Sequence, residues 1–364
     1  MIQSWTMSRS GVLALAAWAG LGFAGCGGAA NHSGTVGPDS SGASSGTGRI
    51  VLVTNGNSDW WSAVEKGMKD GAAKHDADVQ MKRNQEGAGT EGQIRLLEEA
   101  LGASEVKAVA VSAVDADAPG IADAMRKLKE AGKLVITIDS DVNTGAADAR
   151  SHYIGTNNAK AGEIAGQAAA TIRPQGGSVA VFVGSASAEN ARARLDGFFT
   201  GAGPKFLRST DMIYEDQHDT NRAQSLPEIA ITKDPEIGVM LGLYSYNAPR
   251  IAAEVAKRPD FRKKTSVVTF DLDEQAVAFL EKGDIDVSVC QNPYEIGYQA
   301  VRLLSALMKD DKTTVEQMFP EGQTSLDTGV RVIVPTADSP VKGAEVITIE
   351  DMKKWLADKG LKSS

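Results

Sequence analysis

The chain has little to oxidise and little with which to hold a metal: two cysteines, Cys26 and Cys290, and four histidines in 364 residues. Two cysteines cannot supply the disulfide framework that holds small secreted domains together. No His or Cys grouping has the spacing of a zinc site, and neither a phosphate-cradling glycine loop nor a nucleophile elbow is present. Basic residues are also short, with Lys+Arg at 38 against Asp+Glu at 47. A nucleic-acid partner would require a basic face to neutralise phosphates, so that class is excluded and the charge serves solubility. There is no short-period repeat, and no helix-turn-helix segment precedes the first strand. The apolar run Gly11–Ala24 is 14 residues long, too short to span a bilayer.

That run is better read as an export signal, with Arg9 as its positive n-region. It closes on Phe23-Ala24-Gly25-Cys26, where small residues before a cysteine are similar to a bacterial lipobox; Phe23 stands where Leu is usual. Cys26 is thus the expected lipidation site, with ordinary secretion after a small residue as the alternative. Met7 offers a second possible start, which shortens the signal to a more typical length. Residues 26–48 are dominated by Gly, Ser, Ala and Thr and cannot bury enough apolar surface to order themselves, so a tether is expected. The folded part would then sit at a membrane surface through its lipid anchor alone. Removal of the signal takes Arg9 and no acid, so the charge becomes 37 minus 47, or −10. With Cys26 acylated no intramolecular disulfide can form, and Cys290, at the end of an apolar strand, is expected to be a buried hydrophobe.

From Arg49 onward strand and helix patterns alternate, which predicts parallel sheets flanked by helices on both faces. Ten or more strands in one sheet would be unusual, so two similar α/β lobes are expected, with the polar stretch Asp141–Ser151 as a candidate boundary. Two segments 132 residues apart read almost alike: Leu134-Val-Ile-Thr-Ile-Asp139 and Ser266-Val-Val-Thr-Phe-Asp271. Each is a β-branched run suited to a strand buried on both faces, and each stops at an aspartate. Ligands of open α/β sheets bind beyond the carboxyl ends of the strands. The twin acids therefore predict a site built from both halves, although a strand-end Asp can also cap a helix.

The ordered motifs Thr54-Asn-Gly-Asn-Ser-Asp-Trp-Trp61, Val111-Ser-Ala-Val-Asp-Ala-Asp117, Val135–Asp139, Ala191-Arg-Ala-Arg-Leu-Asp-Gly-Phe198, Val268–Asp271 and Gln291-Asn-Pro-Tyr-Glu-Ile-Gly297 carry a resemblance. Between about Arg49 and Pro335 the chain resembles the ribose-type periplasmic sugar-binding proteins, the type I substrate-binding components of ABC importers. The resemblance implies a three-crossing hinge near 157–158, 291–292 and 327–329. The first lobe would comprise 49–157 with 292–327 and the second 158–291 with 328–345, leaving 346–364 as a helical tail.

It also implies roles. Asp139 and Asp271 would accept from sugar hydroxyls, Arg194 would donate and answer their charge, and Gln291 would be a bidentate amide at the hinge. Arg192 faces another way on the same helix. Trp60 and Trp61 would cover the sugar faces; they cannot both point into the lobe core, so at least one should meet ligand. The departures are Ser140, where the family has arginine, and Ser58 and Ser112, where it has asparagine. His218 falls near a family aromatic, and the family's second-lobe asparagine falls between Tyr244 and Asn247. A site that lacks one guanidinium and two amides will not hold ribose in the family's way, so the resemblance implies a monosaccharide without naming it.

The expected function is a monomeric, lipid-anchored binding protein that delivers a monosaccharide to an ABC permease, with no cofactor. A receptor that presents a sugar or autoinducer to a chemoreceptor or sensor kinase uses the same binding chemistry. A glycosidase built on the two aspartates is the enzymatic alternative, against which stands the absence of an acid visibly placed in an apolar pocket.

Overall fold

The computed structural model describes residues 48–364. The expected signal, Cys26 and the tether up to residue 47 lie outside the described residues. The chain starts with β1 (Arg49–Val53), α1 (Trp60–His75), β2 (Asp78–Lys82), α2 (Gly89–Gly102), β3 (Val106–Val111), α3 (Pro119–Glu130), β4 (Leu134–Ile138) and β5 (Tyr153–Gly155). It crosses into α4 (Asn158–Ile172), β6 (Gly177–Val183), α5 (Glu189–Ala202), β7 (Phe206–Leu207), β8 (Ile213–Glu215) and α6 (Thr220–Lys233). Then follow β9 (Val239–Gly242), α7 (Asn247–Ala256), α8 (Pro259–Arg262), β10 (Ser266–Phe270), α9 (Glu274–Lys282) and β11 (Val287–Cys290). A second crossing leads to α10 (Pro293–Met308), α11 (Lys312–Met318) and β12 (Ser325–Asp327), and a third to β13 (Arg331–Val334), β14 (Val346–Thr348) and α12 (Ile349–Lys359).

Two sheets result. The first runs β12-β5-β4-β3-β1-β2, all parallel. The second runs β14-β13-β11-β10-β9-β6-β7, with β8 also paired to β6. In both, the first strand sits inside the sheet, with the next one or two on one side (β2; β7 and β8) and the following three on the other (β3, β4 and β5; β9, β10 and β11). β4 and β10 are therefore corresponding strands, and their terminal aspartates occupy equivalent places. Both sheets are buried on both faces, as the unbroken apolar runs require: Ile50 and Leu52 enter one core and Val51 and Val53 another. Val268 and Phe270 are likewise separated from Val267.

Asp141–Ser151 is not the boundary. It is a loop of the first lobe, containing a short 3-10 turn at Thr144–Ala149 and pinned by the Arg150–Asp141 ion pair. The crossing comes after β5, because β5 still pairs with β4. Residues 346–364 hold the expected helix, α12, but a strand precedes it. β14 pairs in parallel with β13, and α12 lays Ile349, Met352 and Leu356 into the second lobe's core.

The three crossings are bonded to one another. Thr156 Oγ1 donates to Gln291 Oε1 at 2.9 Å, Asn157 N to Asp327 Oδ1 at 3.1 Å, and Thr328 N to Gly155 O at 2.7 Å. Away from the hinge the lobes also touch: Arg192 pairs with Asp117, and Thr220 N donates to Glu86 Oε1 at 2.6 Å.

One helix contact decides where a functional side chain stands. α4 and α5 pack so closely that a Cβ on Gly162 would lie 2.2 Å from the Arg194 carbonyl oxygen. Only hydrogen fits there. Gly162→Val should push α5 away and cost roughly 1–3 kcal/mol as overpacking, read as a lower denaturation midpoint by circular dichroism.

Candidate functional site

The loops after β1, β6, β8, β9, β10 and β11 converge, together with Asp139 after β4, on one cleft of about 230 Å³ between the lobes. That is smaller than the ~300–1,000 Å³ of sites for drug-sized ligands, so a small ligand fits it. Asp139, Arg194, Asp271, Gln291, Trp60, Trp61, Ser58, His218 and Tyr244 all line it. Ser112, Ser140 and Asn247 do not; they stand behind the wall.

The twin aspartates are twins in geometry as well. Both lie in the left-handed region, Asp139 at φ 56° and Asp271 at φ 61°. Asp tolerates this conformation better than most residues, and it turns the side chain off the strand end into the cleft. Each backbone N–H still bonds the neighbouring strand, Asp139 to Ile154 O at 3.1 Å and Asp271 to Val289 O at 3.0 Å. Neither caps a helix, since α9 is capped by Asp273. Ser112 Oγ donates to Asp139 Oδ2 at 2.8 Å, and Asn55 Nδ2 reaches the same oxygen at 3.3 Å. Gln291 serves Asp271 twice, from its backbone N to Oδ1 at 3.0 Å and from Nε2 to Oδ2 at 2.9 Å.

Arg194 is the buried arginine of the pair, 1% exposed, whereas Arg192 reaches the opposite lobe at the rim. Arg194 Nε donates to Asn158 Oδ1 at 3.0 Å and Nη1 to Leu243 O at 2.8 Å, and the guanidinium lies 4.8 Å over the Phe270 ring. Its Nη2 has no partner, and neither does Trp60 Nε1 or His218 Nε2. Trp60 and Trp61 meet edge to face at 4.9 Å; both belong to the first lobe's core and both also contribute to the cleft wall. His218 stacks on Tyr244 with ring centres 5.8 Å apart, and Tyr244 Oη donates to Asn190 Oδ1 at 3.1 Å. Ser140 is fully buried, its hydroxyl unpartnered, and it leaves no polar group at the cleft where the resemblance has an arginine.

Asp216 is an organiser that the motif reading passed over. It accepts from His218 N at 2.8 Å, Tyr246 Oη at 2.9 Å and Asn247 Nδ2 at 3.1 Å. Asn247 in turn accepts from Tyr244 N at 3.1 Å. One buried carboxylate thus sets the aromatic wall of the second lobe. Asn55 and Asn190 also line the cleft. Asn55 lies in the motif after the first strand, but Asn and Asp occur too often in loops for it or Asp216 to stand out.

Burial raises Asp139 to about 6, against the Arg194 charge and the Ser112 bond, which pull it down, while Asp271 pushes it further up. Burial likewise raises Asp271, opposed by Arg194 and by Gln291. The Trp60 indole nears Asp271 without reaching hydrogen-bond geometry. Asp216 is raised to about 6 and His218 lowered to about 4, both by burial. His218 is accordingly a neutral imidazole at pH 7. Cys290 is fully buried and its thiol is pushed well up, which suits packing and not nucleophilic chemistry. Among the described residues no cluster of metal-ligating side chains occurs, and no helix is long and apolar enough to cross a membrane.

The profile of a periplasmic binding protein domain matches residues 49–312. No curated protein matches the chain. Among solved structures, an ABC transporter solute-binding protein from Burkholderia graminis in complex with D-arabinose is 24% identical, with 79% of this chain and 94% of that one covered and a TM-score of 0.69. A solute-binding protein from Agrobacterium vitis with bound D-fucose is 23% identical, covering 79% and 95%, with a TM-score of 0.71. A glucose-galactose binding protein from Geobacillus stearothermophilus is 24% identical, covering 80% and 99%, at 0.67. At these identities the likeness establishes the fold.

The buried acids make a prediction about stability. A carboxyl that ionises less readily folded than unfolded adds stability below its unfolded value and loses it as pH rises through its folded value. Asp139 and Asp216, both raised to about 6, should therefore make the unliganded protein more stable as pH falls from 7 to 5. The gain is on the order of 1 kcal/mol per group. Urea midpoints across that range check it, and Asp139→Asn should flatten the trend.

Proposed function

The chain belongs to the periplasmic binding protein family, whose members bind and do not catalyse, and we propose that its cleft closes over a neutral monosaccharide. One observation carries this reading: the cleft combines unpartnered donors with desolvated acceptors. Arg194 Nη2 and Trp60 Nε1 have no acceptor, while the buried carboxylates of Asp139 and Asp271 keep lone pairs beyond those their present partners use. A hydroxyl is both, one O–H to give and two lone pairs to receive, so adjacent hydroxyls on a ring satisfy both sets. An anionic ligand would instead bring a third negative charge to two acids answered by one buried arginine. Trp60, Trp61, His218 and Tyr244 offer apolar faces to the ring. In this scheme Ser112, Asn247 and Asp216 brace the groups that touch the sugar.

The same reading takes the protein as exported and lipid-anchored at Cys26, handing its sugar to an ABC permease. Support comes from the apolar segment before Cys26, the small residues beside it and the family itself. Radiolabelled palmitate incorporation that is lost in Cys26→Ala tests the anchor.

Binding is tested by tryptophan fluorescence against pentoses, hexoses and polyols, a panel that should include D-arabinose, D-fucose, glucose and galactose. A saturable change with at least one is expected, and a flat response across the panel would sink the sugar assignment. Arg194→Ala should weaken binding by roughly 2–5 kcal/mol, since two buried acids lose their counter-charge. Near-native affinity by calorimetry would remove Arg194 from the site. Affinity should also fall as pH drops through about 6, because protonated Asp139 loses acceptor capacity. Stability and affinity then move in opposite directions with pH, a signature that general acid damage does not give.

A further inference from the structure

Residues 359–364 run on from the last residue of α12, with Leu361 packed against the second lobe's core. α12 ends at Gly360 in the left-handed conformation, φ 66°, and Leu361 N closes the turn on Leu356 O at 2.8 Å. The chain then doubles back. Ser364 and Leu272 exchange a pair of backbone bonds, Leu272 N to Ser364 O at 2.6 Å and Ser364 N to Leu272 O at 2.9 Å. Leu272 directly follows Asp271 and is fully buried, so its peptide groups would otherwise be left without partners at considerable cost.

The same few residues reach the other lobe. Ser363 Oγ donates to the Asp59 carbonyl at 3.4 Å, immediately before Trp60, and Lys359 Nζ lies 4.5 Å over the Tyr294 ring of α10. Tyr294 is itself held by its hydroxyl donating to Asp70 at 2.9 Å. One segment thus touches the neighbour of a cleft acid in the second lobe and the neighbour of a cleft indole in the first. Beneath it runs a cavity of about 470 Å³, bounded by Lys66 and Lys69 of α1, Glu274 of α9 and residues 360–363. The segment is therefore not close-packed against the first lobe. Its contacts there can break and re-form without repacking a core.

We infer that residues 359–364 form a strap that joins the two lobes at one edge of the cleft, favours their closed arrangement and slows ligand release. Lys359, Ser363 and Ser364 are positioning residues: Lys359 holds Tyr294 of α10, Ser363 acts on Trp60 through Asp59, and Ser364 acts on Asp271 through Leu272. The affinity arm of the test rests on the proposed sugar site; the exchange arm does not.

Two variants of the full chain separate the outcomes. Lys359→Met with Ser363→Ala removes the side-chain contacts to the first lobe and keeps the backbone pairing with Leu272. A version without residues 360–364 removes both. Amide hydrogen exchange of unliganded protein is read at residues 60–62 in the first lobe and 271–273 in the second. The double substitution should speed exchange at 60–62 while melting within a few degrees of the parent. It should also release sugar roughly tenfold faster, the sum of one neutral hydrogen bond and one cation–π contact. The shortened version should add faster exchange at Leu272. Unchanged exchange at 60–62 in both variants overturns the strap, even if Leu272 responds, because the segment would then be only a prop of the second lobe. If the parent protein binds no sugar, the proposed function fails and the strap stands or falls on exchange alone.

Discussion

Two carboxylates can be kept in a dry cleft only if something answers their charge, and the arrangement around Asp139 and Asp271 follows from that requirement. Burial drives both acids toward the neutral form, and the one buried guanidinium, that of Arg194, draws both back. Placing that guanidinium costs structure elsewhere. α5 must approach α4 to within a hydrogen's width at Gly162, Asn158 must present its amide oxygen, and the Leu243 carbonyl must face inward from the end of β9. A single charge on a helix thereby constrains two helices and a strand.

The lobes share a plan but divide the work unequally. Both place an aspartate in the left-handed conformation at the end of corresponding strands, β4 and β10, with its N–H still in the sheet. Their braces differ. Asp139 is held by side chains of its own lobe, Ser112 and Asn55, whereas Asp271 is held by Gln291, whose amide oxygen also accepts from Thr156 on another crossing. That carboxamide couples the hinge to the site, so lobe rotation and the orientation of Asp271 are not independent. A crossing bundle of hydrogen bonds beside a weakly held rim suits closure about a hinge, since a solvent-screened surface ion pair such as Arg192–Asp117 holds the lobes together only weakly.

The alternation of strands and helices was plain in the residues because buried parallel strands leave long β-branched runs that no other element uses. β4 and β10 fall where their β-branched runs place them. Composition misplaces the crossing, since Asp141–Ser151 has the make-up of a linker yet is held inside the first lobe by the Arg150–Asp141 pair, whereas the 157–158 of the resemblance lies between β5 and α4. β14 was missed because three residues carry no period, and only pairing with β13 makes them a strand. The cleft was partly legible. Charged residues at strand ends and tandem tryptophans are uncommon enough to notice, but Asp216 between Glu215 and Gln217 is not, and only its three donors mark it as an organiser.

Residue types and their order were enough for the two α/β lobes and the paired strand-end acids, because each of these is a local pattern with a strong energetic reason; Arg194 was singled out only by the family resemblance. Which residues face the cleft was decided by tertiary structure. Ser112, Ser140 and Asn247 carry the right chemistry and sit behind the wall, while Trp60 and Trp61 serve core and cleft at once. Burial and orientation depend on what the rest of the chain packs against a side chain, and that is not written at its own position.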